Sequence, residues 1–102
     1  MHPSKVKRDR LRRLTDLPNI GKAMAADLET LGIQTPADLV GRSAFEMYVQ
    51  LCDITGAQHD PCVIDVFMSI IDFMAGNEPR SWWEFTPERK RILQQLEPTP
   101  DG

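Results

Sequence analysis

The stretch Leu14-Thr15-Asp16-Leu17-Pro18-Asn19-Ile20-Gly21-Lys22 decides the fold that we expect for this 102-residue chain. Proline, asparagine and glycine stand close together at residues 18–21 (Pro-Asn-Ile-Gly), just before a helical pattern begins. A tight hairpin between two helices needs backbone angles that most residues resist, and glycine and asparagine tolerate these angles best. The stretch therefore predicts a hairpin between two helices, with Ile20 turned inward to fill the gap.

Helix boundaries on both sides of this hairpin are marked by capping residues, prolines and glycines. The capping signals are Thr35-Pro36-Ala37-Asp38, Ser43-Ala44-Phe45-Glu46, Asp60-Pro61 and Thr86-Pro87. Gly32, Gly56 and Gly76 stand where helices would end in a left-handed residue. Together these signals predict six short helices at residues 4–15, 21–31, 36–42, 44–55, 61–75 and 87–96.

The apolar pattern of these helices predicts one compact core. Ile20, Met24, Leu28 and Leu31 form a single stripe on the second helix. The fifth helix is apolar on most sides, which is typical of a helix at the centre of a domain. No alternating strand pattern of useful length is present. We therefore expect a single all-α domain at residues 1–96 and a disordered tail at residues 97–102.

Charge is distributed unevenly along the chain, although the net charge is only -3. Residues 1–22 carry seven basic and two acidic residues, whereas residues 23–79 carry one basic and nine acidic residues. One basic end matters more to an anionic partner such as DNA than the total charge does. The alternative is that the basic run is simply a solvated helix face.

The start of the second helix has the features of a phosphate site. The first amides of a helix have no partner within it, and the positive end of the helix dipole lies behind them. We expect the amides of Gly21, Lys22 and Ala23 to point outward, with the Lys22 charge beside them. Auxiliary contacts are expected from the preceding basic residues, namely Lys5, Lys7, Arg8, Arg12 and Arg13. Such contacts to the phosphate backbone carry no sequence information.

The residues from Thr15 to Lys22, followed by Leu31-Gly32-Ile33 and Thr35-Pro36-Ala37-Asp38-Leu39, resemble helix-hairpin-helix proteins, including the C-terminal domain of the bacterial RNA polymerase alpha subunit. Leu51-Cys52, Thr55-Gly56, His59-Asp60-Pro61-Cys62-Val63-Ile64-Asp65-Val66-Phe67 and Trp82-Trp83 resemble a family of small bacterial proteins labelled pathogenicity locus, some of them called mitomycin-resistance proteins. The resemblance covers most of residues 10–92. It implies a helix-hairpin-helix fold and DNA binding, with no established catalytic activity. Many DNA-binding hairpins carry glycine where this chain has Asn19, so Gly21 is the firmer contact of the two.

Other chemistry-bearing residues favour structural interpretations. His59 and Cys62 lack the further ligands that a closed zinc site needs. Cys62 near a helix start could be a reactive thiol, but the neighbouring Asp60 charge opposes its ionisation, which favours Cys62 as a small packed side chain. Four acids, Asp53, Asp60, Asp65 and Asp72, could suggest a nuclease. They lack a third ligand or a general base at suitable spacing, so solvated acids on helix surfaces are the favoured interpretation.

Three aromatic residues before the last helix, Trp82, Trp83 and Phe85, have two interpretations. They could stack on exposed bases with help from Arg80, or they could anchor the last helix to the core, which is the commoner arrangement. A further idea is that one tryptophan is exposed and contacts a partner protein.

These observations predict a non-enzymatic module that binds DNA weakly and independently of sequence, through the hairpin at residues 18–21. The alternative is a protein-interaction adaptor that uses its acidic surface and the Trp82-Trp83 region. We expect no cofactor and no metal, and a dimer or a protein partner would add a second contact. The sequence shows no secretory signal or membrane-spanning segment, and its two cysteines are too few for a disulfide scaffold, so we expect a cytoplasmic protein.

Overall fold

The computed structural model describes residues 2–96, and helices make up its regular structure. The α-helices are α1 (Lys22–Thr30), α2 (Ala44–Thr55), α3 (Cys62–Met74) and α4 (Thr86–Leu96). Single 3-10 turns lie at Pro3–Lys5, Arg8–Arg10, Leu14–Asp16, Pro36–Leu39 and Trp82–Phe85. Over residues 2–96 there is no strand, which confirms the all-α prediction, and no helix is long and apolar enough to cross a bilayer. The tail predicted at residues 97–102 lies outside the described residues.

Helix α3 is the centre of the fold, as its apolar pattern predicts. It contacts α2, α4 and the 3-10 turns at Pro36–Leu39 and Trp82–Phe85. Its side chains Phe67, Ile70 and Phe73 are buried in the core. A helix with apolar residues on most of its sides is stable in water only when neighbours cover them, and α2, α4 and these two turns supply that cover.

Helix α1 packs through the predicted stripe. Ile20 and Leu28 are buried, and Met24 and Leu31 pack against the same core while half-exposed. Helix α1 contacts α2 and the Leu14–Asp16 turn. The start of α1 is therefore held by the core on one side, and the opposite side faces solvent.

Several predicted boundaries are confirmed. Gly32, Gly56 and Gly76 have positive φ angles of 83°, 67° and 108° just after α1, α2 and α3. At the start of α3, the Asp60 carboxylate accepts a hydrogen bond of 2.8 Å from the Cys62 amide. Helix α4 begins at Thr86 rather than at residue 87, and the Thr86 hydroxyl bonds to another side chain instead of capping the helix.

Two of the six predicted helices are wrong. Residues 36–42 form only the 3-10 turn Pro36–Leu39, and residues 4–15 form short turns joined by extended residues such as Lys7 (φ -123°, ψ 115°). A helix over residues 4–15 would bring many basic side chains to neighbouring positions, where like charges repel. Instead Val6 and Leu11 each pack separately against the core. We call residues 2–13 the N-terminal arm.

Candidate nucleic-acid interface

The hairpin turn, residues 17–21, is shaped by two buried side chains and one left-handed residue. Leu17 and Ile20 are buried, which confirms that Ile20 turns inward. Asn19 has a φ of 66°, and it is the one non-glycine residue with positive φ in the described part of the chain. Asparagine tolerates this conformation better than other side chains do. A turn is present at the predicted position, but the element before it is one 3-10 turn rather than a helix, so the described residues do not show the predicted helix-hairpin-helix unit.

The side chain of Asn19 faces the protein and not the solvent side of the turn. Its Nδ2 atom donates to Ser69 Oγ at 3.0 Å and to the carbonyl oxygen of Arg80 at 2.8 Å. The first contact joins the turn to α3, and the second joins it to the segment that leads into α4. Because two hydrogen bonds hold the amide inward, it does not fill the space outside the turn that a phosphate would need.

Gly21 has a different role from the one expected. Its backbone is extended, with φ -99° and ψ -171°, a conformation open to any residue. A Cβ atom placed on Gly21 would meet nothing within 4 Å. The turn therefore does not require glycine for its backbone angles or for its internal packing. The consequence of this glycine is open space beside the first turn of α1.

The first turn of α1 is exposed and has no side-chain cap. Lys22 and Ala23 are exposed, and no side chain accepts a hydrogen bond from the helix start. The first bond of the helix runs from the Ala25 amide to the Gly21 carbonyl at 2.9 Å. The amides before Ala25 have no carbonyl partner within the helix, which leaves them able to donate to solvent or to an anion.

Arginines of the N-terminal arm lie beside this helix start. Arg12 and Arg13 line one shallow groove of about 350 Å³ together with Lys22, and Glu29 is the acidic residue on its wall. The Asp16 carboxylate accepts from the Arg12 amide at 3.0 Å and the Arg13 amide at 2.9 Å. These hydrogen bonds fix the backbone at both arginines. They also lower the pKa of Asp16 below its ordinary value of 3.8.

A second groove extends the positive charge along the arm. It has a volume of about 570 Å³, and Arg12 and Arg13 line it as well, so the two grooves adjoin. Asp9 and Asp16 are its acidic residues. We call the combined set the basic surface, and it consists of Lys5, Lys7, Arg10, Arg12, Arg13 and Lys22. Arg10 is absent from the sequence-based site, although it belongs to the same basic run.

Arg8 is placed differently from the other predicted contacts. Its guanidinium donates to the carbonyl oxygens of Phe73 and Asn77, both at 2.6 Å, and lies 4.0 Å from the centre of the Phe73 ring. Carbonyls at the end of a helix carry partial negative charge that favours a cation. Arg8 therefore attaches the arm to the end of α3, and it is the predicted contact least available to DNA.

The three aromatic residues near α4 divide between the two interpretations. Phe85 is buried and anchors the start of α4, with the Arg80 guanidinium 4.4 Å from its ring centre. Trp82 is half-buried, and Trp83 is 59% exposed. The two tryptophan rings meet nearly at right angles, with centres 5.8 Å apart and an interplanar angle of 83°. Phe85 therefore anchors the last helix to the core, as the second interpretation holds, whereas Trp83 does not.

One acid that the sequence places on a solvated surface is buried. Asp65 is fully buried in α3, where its Oδ1 accepts from Arg89 Nε at 2.8 Å and its Oδ2 accepts from the Thr86 hydroxyl at 2.6 Å. Both partners lie on α4, so this network joins α4 to the central helix. The hydrogen bond to Asp65 raises the pKa of Arg89 above its ordinary value. A partner more than twenty residues away leaves no local signal in the sequence.

The His59–Cys62 stretch forms local structural contacts. His59 Nε2 lies 2.9 Å from Thr55 Oγ1, and the His59 carbonyl accepts from the Tyr48 hydroxyl. The Cys62 thiol also donates to the Asp60 carboxylate, and this side-chain hydrogen bond raises the pKa of the thiol, which opposes thiolate formation. Within residues 2–96, no three or more histidine, cysteine or acidic side chains are grouped to hold a metal ion.

The sequence match to known proteins extends over the hairpin turn, α1 and the Trp82–Phe85 turn, which we call the aromatic segment. A family model described as pathogenicity locus matches residues 7–91. This chain belongs to the pathogenicity-locus family. A Streptomyces lavendulae protein called mitomycin resistance protein McrB is 41% identical over 80 residues, which cover 78% of this chain and 76% of that protein. No solved structure matches the chain.

The pathogenicity-locus match includes most of the proposed interface. The hairpin turn, Arg12, Arg13, Lys22 and the two tryptophans all lie within residues 7–91. Lys5 lies before the matched region. The part of the basic surface closest to α1 is therefore inside the family's domain.

Proposed function

We propose that this pathogenicity-locus protein is a non-enzymatic module that binds the phosphate backbone of DNA weakly and without reading its sequence. The observation that carries the proposal is the groove that Lys22 shares with Arg12 and Arg13 at the uncapped start of α1. Phosphate oxygens accept hydrogen bonds from helix amides and pair with lysine and arginine side chains. Both kinds of donor are present together at this position.

The body of the protein limits the strength of this binding. One helix start offers few phosphate contacts, and residues 23–79 carry nine acids and one basic residue. Repulsion from this acidic body orients the molecule with its basic surface towards DNA. We expect a dissociation constant on the order of 10⁻⁴–10⁻⁶ M, the range of non-specific protein–DNA binding. A second copy or a protein partner would strengthen binding by adding a contact.

A charge reversal at the helix start tests the proposal directly. The experiment measures binding of a fluorescently labelled blunt duplex by anisotropy at low salt. Lys22→Glu places a negative charge among the helix amides, and we expect it to weaken binding at least tenfold. Lys90→Glu changes the net charge equally at an exposed position on α4, so it is the matched control. Equal affinity of the two variants, or no salt-sensitive binding by the wild type, would refute the proposal.

The protein-interaction adaptor remains the second candidate, and the exposure of Trp83 favours it. Exposed aromatic residues are enriched at protein interfaces. In this case the acidic surface and the Trp82–Trp83 region would bind a basic protein, and Lys22→Glu would leave that function unchanged. The duplex titration separates the two candidates, because only the DNA-binding module responds to Lys22.

The name of the relative extends the proposal to drug resistance. Because the Streptomyces lavendulae protein is named for mitomycin resistance, we include a role in such resistance in the proposal for this chain. Expression of this chain in a mitomycin-sensitive host tests it. Increased survival with the wild type and not with Lys22→Glu would connect resistance to the helix start.

A further inference from the structure

A small aromatic groove lies beside the hairpin turn, and the turn residues Asn19, Ile20 and Gly21 form part of its wall. It has a volume of about 310 Å³, and its lining residues are His2, Pro3, Asn19, Ile20, Gly21, Trp82 and Trp83. This volume is near the lower end of the roughly 300–1,000 Å³ that is usual for small-molecule pockets. The groove therefore suits one flat ring system and is too small for a helix.

The tryptophans make this groove a site for stacking. Trp83 leaves 59% of its surface exposed, although Phe85, two residues later, is buried. Because the Trp82 and Trp83 rings stand at 83° to each other, they form a corner and do not cover each other face to face. A flat ligand can thus stack on one indole and contact the other with its edge.

Charge and position indicate what would occupy the groove. None of the described residues that line it is acidic, whereas acids are common elsewhere in the body of the protein. Gly21 lines the aromatic groove and the next residue, Lys22, lines the basic one. A nucleotide likewise joins a flat base to an anionic phosphate through a single sugar. The aromatic groove therefore matches the base of a nucleotide, and the groove at Lys22 matches its phosphate.

We propose that Trp83 stacks on an unpaired base of DNA while the adjacent helix start and basic surface contact its backbone. In an intact duplex each base is paired and stacked within the helix, so its flat face is not available to Trp83. The favoured DNA is therefore single-stranded or has unpaired bases next to a duplex. This inference rests on the proposed DNA-binding function and specifies the class of DNA that it prefers.

The experiment compares two DNA probes with the same variants. The probes are an oligothymidine strand and a blunt duplex, and the variants are Trp83→Ala and Trp83→Tyr. A base stacked on an aromatic side chain contributes about 5- to 150-fold in affinity. We expect Trp83→Ala to weaken binding of the single strand within that range and to change duplex binding less than twofold. Trp83→Tyr retains an aromatic face and should preserve most of the single-strand affinity.

A matched control removes a different exposed side chain. Ile54 on α2 is also 59% exposed and lies away from both grooves, so Ile54→Ala controls for loss of exposed apolar surface. Far-ultraviolet circular dichroism and the urea midpoint verify that each variant is folded. Quenching of tryptophan fluorescence by the single strand, reduced in Trp83→Ala, would support direct stacking.

The outcomes distinguish the two proposals. Duplex binding that depends on Lys22, together with single-strand binding that is unchanged in Trp83→Ala and Trp83→Tyr, would refute stacking and leave the proposed function standing. Absence of salt-sensitive binding to either probe would refute the proposed function and stacking with it. Aromatic grooves also accept proline-rich peptides. Binding of a polyproline peptide that depends on Trp83, without any effect of Trp83→Ala on the single strand, would assign the groove to proteins instead.

Discussion

At the scale of single residues, Asn19 combines two roles that the sequence shows only in part. Its left-handed conformation follows from the local pattern of proline, asparagine and glycine. Its hydrogen bonds connect the turn to Ser69, 50 residues further along the chain, and to the carbonyl of Arg80, 61 residues further along. An asparagine can be assigned to a turn from its neighbours, but its distant partners emerge only when the chain folds. The same side chain therefore shapes the turn and holds the aromatic segment beside it.

Asp65 supports a prediction about stability. Asp65→Ala leaves the Arg89 guanidinium nearly buried without its carboxylate, and removing one partner of a buried ion pair costs about 3–5 kcal/mol. We expect a loss towards the lower end of this range, because Arg89 retains a small exposed fraction. Urea unfolding measures the change. Asp53→Ala, at an exposed position on α2, should change stability by less than about 0.5 kcal/mol.

A second comparison separates the ion pair from simple loss of packing. The double variant Asp65→Leu/Arg89→Met replaces both charges with apolar side chains of similar size, which is often close to neutral. We expect it to recover most of the stability that Asp65→Ala loses. If Asp65→Ala unfolds at the same urea concentration as Asp53→Ala, Asp65 does not join α4 to α3 as the geometry indicates.

At the scale of elements, the N-terminal arm shows where local signals stop being sufficient. The boundaries of α1, α2 and α3 follow from nearby glycines and caps, and the structure confirms them. The arm has similar helix-forming residues, yet it folds as short turns because Arg8 bonds to the end of α3 and Val6 packs on the core. These partners lie far along the chain. The sequence could thus predict that the basic residues form a group, but it could not predict that Arg12 and Arg13 line one groove with Lys22.

Attachment of the arm by Arg8 can be tested by proteolysis. Arg8→Ala removes two hydrogen bonds from a charged donor, each of which contributes about 1.5–3 kcal/mol. We expect local opening of the arm, and with it trypsin cleavage after Lys5 and Lys7, to increase by at least about tenfold. Arg10→Ala lies on the same turn and is the control. Equal cleavage rates in the two variants would show that Arg8 does not attach the arm.

The free energy of unfolding should depend on pH through Asp16, whose carboxylate holds the backbone at Arg12 and Arg13. Hydrogen bonds from the amides of Arg13 and Arg12 lower the pKa of Asp16 in the folded protein below 3.8. The unfolded chain therefore takes up this proton first as the pH falls. The stabilisation by Asp16 is complete above pH 3.8 and is lost as the pH falls from 3.8 through the folded pKa.

The measurement is thermal unfolding from pH 6 to pH 2. We expect Asp16→Asn to lower stability at pH 6 and to show a weaker decrease than the wild type on acidification. Asp53→Asn provides a comparison in which the carboxylate is exposed on α2. A wild-type profile with the same shape as that of Asp16→Asn would contradict the role assigned to Asp16.

At the scale of the whole molecule, the protein is an acidic body with one basic surface. The sequence predicts this division of charge, and the structure adds that the arm and the start of α1 form adjoining grooves. Under the proposed function, such a molecule would approach DNA in a preferred orientation, and the acidic body would keep the contact small. The aromatic groove includes Gly21, the residue next to Lys22 in the chain. Phosphate binding and base stacking would therefore act on neighbouring parts of one strand.

The central claim is that Lys22 contacts a phosphate, and the salt dependence of duplex binding tests it most directly. Each phosphate neutralised by the protein adds about 0.9 to the slope of log affinity against log salt concentration. Lys22→Gln removes the charge and keeps a side chain of similar length, so we predict that the slope decreases by about one. Lys90→Gln on α4 should keep the wild-type slope. If Lys22→Gln and the wild type share one slope, Lys22 does not contact phosphate and the account is wrong.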